Sequence, residues 1–139
     1  MKFILFLMMG ASMLLHAGLV KTGDRVTDTE TGLQWQNDDK IEMNWREAIE
    51  YCEDLDFGEY SDWRLPNKKE LHSIVDYKTC YPSTGSVFDD TASKYYWTST
   101  TDALHKKNAY VVDFREGKIY VAEKIQEAEV YVRCVRSGL

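Results

Sequence analysis

Apolar residues recur with a helical period between residues 44 and 57, in the sequence NWREAIEYCEDLDF. They are Trp45, Ala48, Ile49, Cys52 and Leu55. This spacing of three and four residues builds one apolar face and leaves the acidic side chains toward water. Asn44 suits the N-cap position, because its short side chain can accept a hydrogen bond from the first turn. The pattern predicts an amphipathic first helix that starts beside Trp45.

A second, shorter helix is predicted from Asn67 to about Asp76. Asn67 can cap this helix, and Glu70 three residues later can reach back to complete a capping box. Pro66 disfavours helical conformation at the residue before it, so the chain is expected to enter in an extended form. The buried stripe of this helix would consist of Leu71, Ile74 and Val75.

The remaining segments are typical of strands. Leu33 and Trp35 alternate with glutamines after a turn at residues 29–32, which predicts a short opening hairpin. Four later segments are rich in aromatic and β-branched residues: KYYWTST, AYVVDF, KIYVAE and VYVRCVR. Glu116 and Gly117 predict a tight hairpin between the second and third of these. Helices followed by a run of antiparallel strands predict an α+β domain.

Residues 77–93 show no sustained hydrophobic period. The segment contains turn-forming residues at 81–86 and an acidic pair, Asp89 and Asp90. We therefore expect a long surface loop, and loops of this length often carry function.

The first residues, MKFILFLMMGASMLLHAGLV, combine one cation, an apolar run and small residues around Ala17. This order is typical of a secretory signal peptide, which we place at residues 1–18. Leu15 is large for a cleavage site, so an uncleaved membrane anchor is the alternative. In either case residues 19–139 form a single domain outside the cytoplasm, periplasmic or secreted, with no membrane insertion after cleavage.

The charge balance is acidic. The chain has 23 acidic and 17 cationic side chains, and removing Lys2 with the leader leaves 16 cations and a net charge of about −7. This balance repels nucleic acid and anionic lipid, so no nucleic-acid partner is predicted. It also disfavours a sulfated polysaccharide unless the cations cluster on one face. The adjacent pairs at residues 68–69 and 106–107 are interpreted as solvated surface.

Three cysteines, Cys52, Cys80 and Cys134, are expected to meet an oxidising compartment. Three pairings are arithmetically possible, and each leaves one thiol over. Cys52 falls on the apolar face of the first helix, and Cys134 shares a strand face with the valines before it, so this pair is favoured. Cys80 is then interpreted as a free thiol; a reactive role or a dimer through Cys80 is the alternative.

The succession TGLQWQ, NWREAIEYC, DWRLPNKKEL, YYWTST, AYVVDFREGKI and YVRCVR resembles the bacterial domain of unknown function 1566, the Legionella collagen-like protein C-terminal domain family. The resemblance runs from about Gly32 to Arg136. It implies a fold akin to C-type-lectin-like and formylglycine-generating-enzyme domains, with two helices packed on a small antiparallel sheet and the first helix tied to the last strand. The family's best-described setting is adhesion to host polysaccharide. The acidic balance and the absence of collagen-like repeats depart from that setting.

The stretch SDWRLPNKKEL could be either a binding site or a structural joint. We interpret it as a joint, with Trp63 and Leu65 buried and with Asp62 and Arg64 satisfying the backbone or each other. Pro66 and Asn67 would then fix the start of the second helix. The alternative makes Trp63 and Arg64 a surface for a sugar or an acidic group.

Candidate binding residues lie in or beside two loops, 77–93 and 99–108. Tyr95 and Trp97 share a strand face that is expected to lie in the core, whereas Tyr96 takes the opposite face and is expected to be exposed. The candidate set is Tyr81, Asp89, Asp90, Tyr96, Asp102 and His105.

No metal site, cofactor or catalytic group is predicted. Leu65-Pro66-Asn67 lacks the first oxygen ligand of the calcium triplets that lectins use, and the aspartates of the loops are interpreted as solvated acids. The histidines show no ligand spacing, and no nucleophile, base and orienting group can be assembled.

These observations favour an exported, non-enzymatic binding or adhesion module. It would recognise a protein or a glycan through loops 77–93 and 99–108. One alternative is an enzyme or redox factor that uses Cys80, and another is a structural envelope subunit.

Overall fold

The computed structural model of the protein describes residues 18–38 and 41–138. The predicted signal peptide therefore lies outside the described residues, apart from Gly18. Ten elements follow in order: β1 Leu19–Thr22, β2 Arg25–Asp28, β3 Leu33–Gln36, α1 Trp45–Glu53, α2 Lys68–His72, β4 Tyr95–Thr101, β5 Asn108–Asp113, β6 Lys118–Glu123, β7 Val130–Tyr131 and β8 Val135–Ser137. The α+β class is confirmed.

The strands form two four-stranded sheets rather than the one small sheet that was expected. The first sheet has the order β1-β2-β3-β8 and is antiparallel throughout. The predicted opening hairpin is its β2–β3 pair, closed by a turn in which Gly32 N donates to Asp28 O at 2.8 Å. The residues before it add β1 as a third strand.

The second sheet has the order β6-β5-β4-β7, and β7 runs parallel to β4. The β5–β6 hairpin is confirmed, with a four-residue turn at 114–117. Gly117 has a φ of +85° in this turn, a conformation that favours glycine. A Cβ atom there would also approach Val75 Cγ1 to 2.5 Å.

The segment VYVRCVR is not the single strand that its composition predicts. It begins as β7 in the second sheet and ends as β8 in the first sheet. Residues 132–134 cross between the two sheets, and each is buried. Val132 N donates to Ile41 O at 3.2 Å. Cys134 bonds to Gln36 at the end of β3: its N–H donates to the Gln36 side chain at 3.1 Å, and its C=O accepts from Gln36 N at 3.0 Å.

Both predicted helices are present with their predicted caps. The Asn44 side chain accepts from Glu47 N at 2.9 Å at the start of α1. Asn67 and Glu70 form the capping box of α2. α2 ends at His72 rather than near Asp76, because Val75 leaves the helix to form a β-bridge with Thr84.

The inner strands of the second sheet, β4 and β5, are covered on both faces, so the protein has two hydrophobic cores. One core contains Tyr96 and Val112 with residues of the first sheet and α2. The other contains Trp97 and Val111 with the buried face of α1. The expectation that Tyr96 is exposed is therefore wrong: its side chain is fully buried, since a strand in the middle of a covered sheet has no solvent face.

The predicted disulfide between Cys52 and Cys134 is confirmed, with a Cα–Cα distance of 5.4 Å and both residues fully buried. Cys52 lies in α1, and Cys134 lies one residue before β8. The bond therefore ties the helix to the crossing segment rather than to the strand itself.

We expect the double variant Cys52→Ala/Cys134→Ala to lose about 4.5 kcal/mol of unfolding free energy by the chain-entropy estimate for so long a loop. The two residues are 82 positions apart, so the bond strongly restricts the unfolded chain. Urea unfolding followed by circular dichroism measures the difference, with Cys80→Ser as the control. A loss below about 1 kcal/mol would show that this entropic account is wrong.

Candidate functional site

The stretch from Asp62 to Asn67 lies between the two sheets and α2. Trp63, Leu65 and Pro66 are buried, and the Trp63 indole N–H donates to Phe57 O at 3.1 Å. The backbone N–H and C=O of Arg64 bond to Val135, with both N···O distances at 2.8 Å. These positions fit the structural joint and leave the Trp63 ring inaccessible to a sugar.

The charged side chains of this joint do not pair with each other. Arg64 instead forms a bidentate pair with Glu70, with N···O distances of 2.7 and 2.8 Å. Asp62 binds Arg136 on the last strand at 2.6 and 3.1 Å. The Arg64 guanidinium lowers the pKa of Glu70, because it donates two hydrogen bonds to the ionised carboxylate.

Loop 77–93 is more firmly held than its sequence suggests. Phe88 inserts into the first core, where its ring lies edge-on to Trp35 at 6.5 Å. Asp89 accepts from Lys21 Nζ at 2.7 Å and from the Asn37 amide at 2.9 Å. Residues 88 and 89 are therefore attached to the first sheet, whereas residues 77–81 are exposed.

Arg133 is the buried cation that secures this attachment. Its Nη2 donates to Asp90 O at 2.7 Å and to Asn37 Oδ1 at 3.3 Å. Its guanidinium also lies 5.1 Å from the Phe88 ring centroid. Burial lowers the pKa of Arg133, because the charged form loses its hydration. Sequence reasoning missed this residue, since strand alternation places it opposite the buried valines.

The other candidate residues lie apart from one another, and not all of them are exposed. Tyr81 is exposed beside Cys80, which is exposed and outside any disulfide. Asp102 is buried in the β4–β5 turn, where its carboxylate accepts from Leu104 N at 3.1 Å and lies 3.5 Å from His105 Nδ1. His105 itself is largely exposed.

The two predicted binding loops lie at opposite ends of the second sheet. Loop 77–93 packs beside the β5–β6 turn, where Tyr81 N donates to Arg115 O at 2.9 Å. Residues 102–107 connect the far ends of β4 and β5. A strand of this length spans about 20 Å, so a single small ligand cannot contact both loops.

At the end that carries residues 102–107, four lysines gather around the sheet, and we call this surface the basic end. Its members are Lys68, Lys106, Lys107 and Lys124. Lys68 Nζ lies 4.1 Å from the Tyr110 ring centroid, and Lys68 N donates to Thr100 Oγ1 at 3.0 Å. Lys124 N donates to Lys107 O at 2.8 Å.

The basic end extends over both faces of the second sheet. Tyr110 shares the face of Val112, which α2 and the first sheet cover. On the opposite face, Lys124 Nζ lies 4.0 Å from the Trp45 ring centroid and donates to Thr101 Oγ1 at 2.9 Å. A cleft of about 510 Å³ beside Trp45 is lined also by Glu47 and Glu127, so its charge is mixed.

Neither a metal cluster nor a spanning helix is found within residues 18–38 and 41–138. No three His, Cys, Asp or Glu side chains in these ranges are arranged to hold a metal ion. No helix in them has the length and apolar character needed to cross a membrane.

Residues 24–136 match the family model described as the Lcl C-terminal domain. The chain belongs to the Lcl C-terminal domain family. A comparison with curated proteins gave no match. In this Lcl C-terminal domain the six motifs that carried the resemblance form β3, α1, the joint with α2, β4, the β5–β6 hairpin and the crossing segment. They build the scaffold, whereas Lys106, Lys107 and Lys124 lie between them.

The pairing of Glu70 with Arg64 predicts acid-sensitive stability. The pKa of Glu70 in the folded protein is below its usual 4.5, so the pair stabilises the fold above that pH and is lost as the pH falls through the lowered value. We expect Glu70→Gln to be less stable than the wild type at pH 7, and the difference to shrink below pH 4.5. Urea unfolding over this pH range measures it, with Glu50→Gln on the outer face of α1 as the control. A difference that does not change with pH would contradict the assignment.

The burial of Arg133 predicts a stability effect localised to the loop. We expect Arg133→Met to cost about 2–4 kcal/mol, because Asp90 O and the Asn37 side chain lose a charged donor in a buried setting. Hydrogen exchange should accelerate in residues 88–91. Arg115→Met, which removes an arginine bound to Asp113, should leave exchange in these residues unchanged. Equal exchange in the two variants would show that Arg133 does not anchor the loop.

Proposed function

We propose that this Lcl C-terminal domain is an exported, non-enzymatic binding module whose basic end takes an anionic glycan, a polysaccharide bearing sulfate or carboxylate groups. The observation that carries the proposal is the gathering of Lys68, Lys106, Lys107 and Lys124 at one end of an acidic domain. An acidic net charge disfavours such a ligand only when the cations are scattered, and here they cluster on one part of the surface.

The pairing of the lysines supports this proposal. Away from the basic end, Lys21, Lys94 and Lys118 each form a salt bridge with a carboxylate, whereas Lys78 forms none with a described residue. Within the described ranges, none of the four ammonium groups of the basic end forms one. A cation that forms no ion pair can bind a ligand anion without first giving up an internal partner.

Two aromatic rings hold two of these lysine side chains in position. The Tyr110 and Trp45 rings lie under the Lys68 and Lys124 ammonium groups, which restricts these long side chains before a ligand arrives. Less conformational entropy is then lost on binding. The acidic residues near Trp45 favour approach of the ligand from the side of Lys68 and residues 106–107.

The finer likeness to C-type-lectin-like domains belongs to the same proposal. The pairing of β3 with β8 brings the ends of the domain together, and the disulfide ties α1 to the segment before β8. Both features support a lectin-like arrangement. Export is likewise proposed, on the basis of the apolar leader and the buried disulfide, which suits an oxidising compartment.

The structural-subunit alternative depends on Cys80, whose exposed thiol is free to meet a second chain. A non-reducing gel of the exported protein tests it. A dimer that Cys80→Ser abolishes would favour this role, and a monomer under oxidising conditions would count against it.

Binding to dextran sulfate, with neutral dextran as the uncharged comparison, tests the proposed ligand class. We expect dextran sulfate to bind, neutral dextran not to bind, and the affinity to fall as salt is raised. Lys106→Gln/Lys107→Gln should weaken binding roughly tenfold, about 1.4 kcal/mol. Isothermal titration calorimetry measures both affinities.

The matched control is Lys78→Gln/Lys118→Gln, which removes two lysines at the opposite end of the sheet. It should change the affinity much less. Equal losses from the two double variants would indicate non-specific charge attraction, and no binding to dextran sulfate at low salt would reject the proposed ligand class. Binding to an acidic protein but to no glycan would replace it.

A further inference from the structure

β6 is an edge strand of the second sheet, and it is unusually open. It has six residues, whereas the other edge strands β1, β8 and β7 have four, three and two. Its centre is apolar: Ile119, Tyr120 and Val121 are 37, 44 and 45% exposed. Long apolar edges are ordinarily shortened, charged in the middle or covered, because they invite pairing with another strand.

The backbone groups that face outward from β6 can be assigned. Lys124 N donates to Lys107 O in register with the β5–β6 ladder, so Lys124 and every second residue before it bond to β5. The N–H and C=O groups of Ile119 and Val121 therefore point away from β5, as does the N–H of Glu123. The C=O of Glu123 is already used, because it accepts from Gln126 N at 2.9 Å. Ile119 and Val121 thus present the donors and acceptors at the centre of the open edge.

We propose that β6 pairs with β6 of a second copy of this chain, antiparallel, about a two-fold axis at Tyr120. The two second sheets then join into one continuous eight-stranded sheet. The contact is isologous, so each copy offers the same strand and no open edge is left at the junction.

Charge selects this register. Outward backbone groups of one β6 must lie opposite outward groups of the other. Among axes that keep the exposed apolar residues at the centre, those at Tyr120 and at Val121 meet this condition. An axis at Val121 places Lys118 opposite the partner's Lys124, twice, which is destabilising. An axis at Tyr120 places Lys118 opposite the partner's Ala122 instead, so the two lysines are kept apart.

The same register matches the apolar residues. Tyr120 faces its own copy in a non-hydrogen-bonded pair, where side chains come closest, and Ile119 faces the partner's Val121. The charged residues of the strand, Lys118 and Glu123, face Ala122 and Gly117. No like charges lie directly opposite each other, so the second copy fits this edge better than an arbitrary extended peptide.

The test uses the whole domain in a Cys80→Ser background, so that a Cys80 disulfide cannot imitate the contact. Analytical ultracentrifugation across a concentration series should show a reversible monomer–dimer equilibrium. Val121→Pro should abolish the dimer, because it removes an outward N–H that β5 does not use. Val121→Thr, which keeps that N–H and the branched shape, should retain it.

Val121→Glu is a second disrupting variant at this exposed position, in case the proline alters the strand itself. Circular dichroism verifies that each variant is folded. Tyr120→Cys should form an intermolecular disulfide under mild oxidation, faster than Val121→Cys, if the axis lies at Tyr120.

A monomer up to the solubility limit, or a dimer that survives both Val121→Pro and Val121→Glu, would overturn the proposal. Faster cross-linking of Val121→Cys would overturn the register, and binding of an unrelated extended peptide by a monomeric domain would assign the edge to a different partner.

Discussion

Both sheets of this domain depend on one buried segment, residues 130–137. It starts in the second sheet as β7, crosses between the sheets, and completes the first sheet as β8. Its crossing residues include Cys134, whose disulfide holds α1 against the other face of the second sheet. Arg64 of the joint bonds to the backbone of this segment as well. A small domain that lacks a large core gains much of its cooperativity from such a shared element.

The same segment determines which loops are free. Arg133 on the crossing segment holds residues 88–90 against the first sheet, so this part of loop 77–93 belongs to the scaffold, whereas residues 77–81 are exposed. The β4–β5 turn at residues 102–107 has a different status: Asp102 closes it internally, and its exposed residues project from the end of the sheet. The turn at residues 102–107 is thus a part of the basic end that the crossing segment does not hold.

Local patterns predicted the elements well. The caps of Asn44 and Asn67 depend on neighbouring residues, and the period of the first helix placed Cys52 correctly toward the core. Tyr96 and Arg133 could not be predicted in this way. Predicting burial from strand alternation assumes that one face of the sheet is exposed to solvent. The prediction fails where both faces are covered. The basic end could not be predicted either, because its lysines are distant in sequence. Lys107 and Lys124 meet through the β5–β6 ladder, and Lys68 joins them because the start of α2 bonds to Thr100.

An acidic net charge and a basic end are physically compatible. At physiological ionic strength the Debye length is about 8 Å, so carboxylates on the outer face of α1 beyond that distance have little effect on an anion bound near residues 106–107. Net charge governs the long-range approach of a ligand, whereas the charges within the first few ångströms govern the bound state. An acidic domain with a local cluster of unpaired lysines is therefore expected to associate slowly with an anionic polymer and still to hold it. The sign of the whole chain does not decide what the basic end can bind.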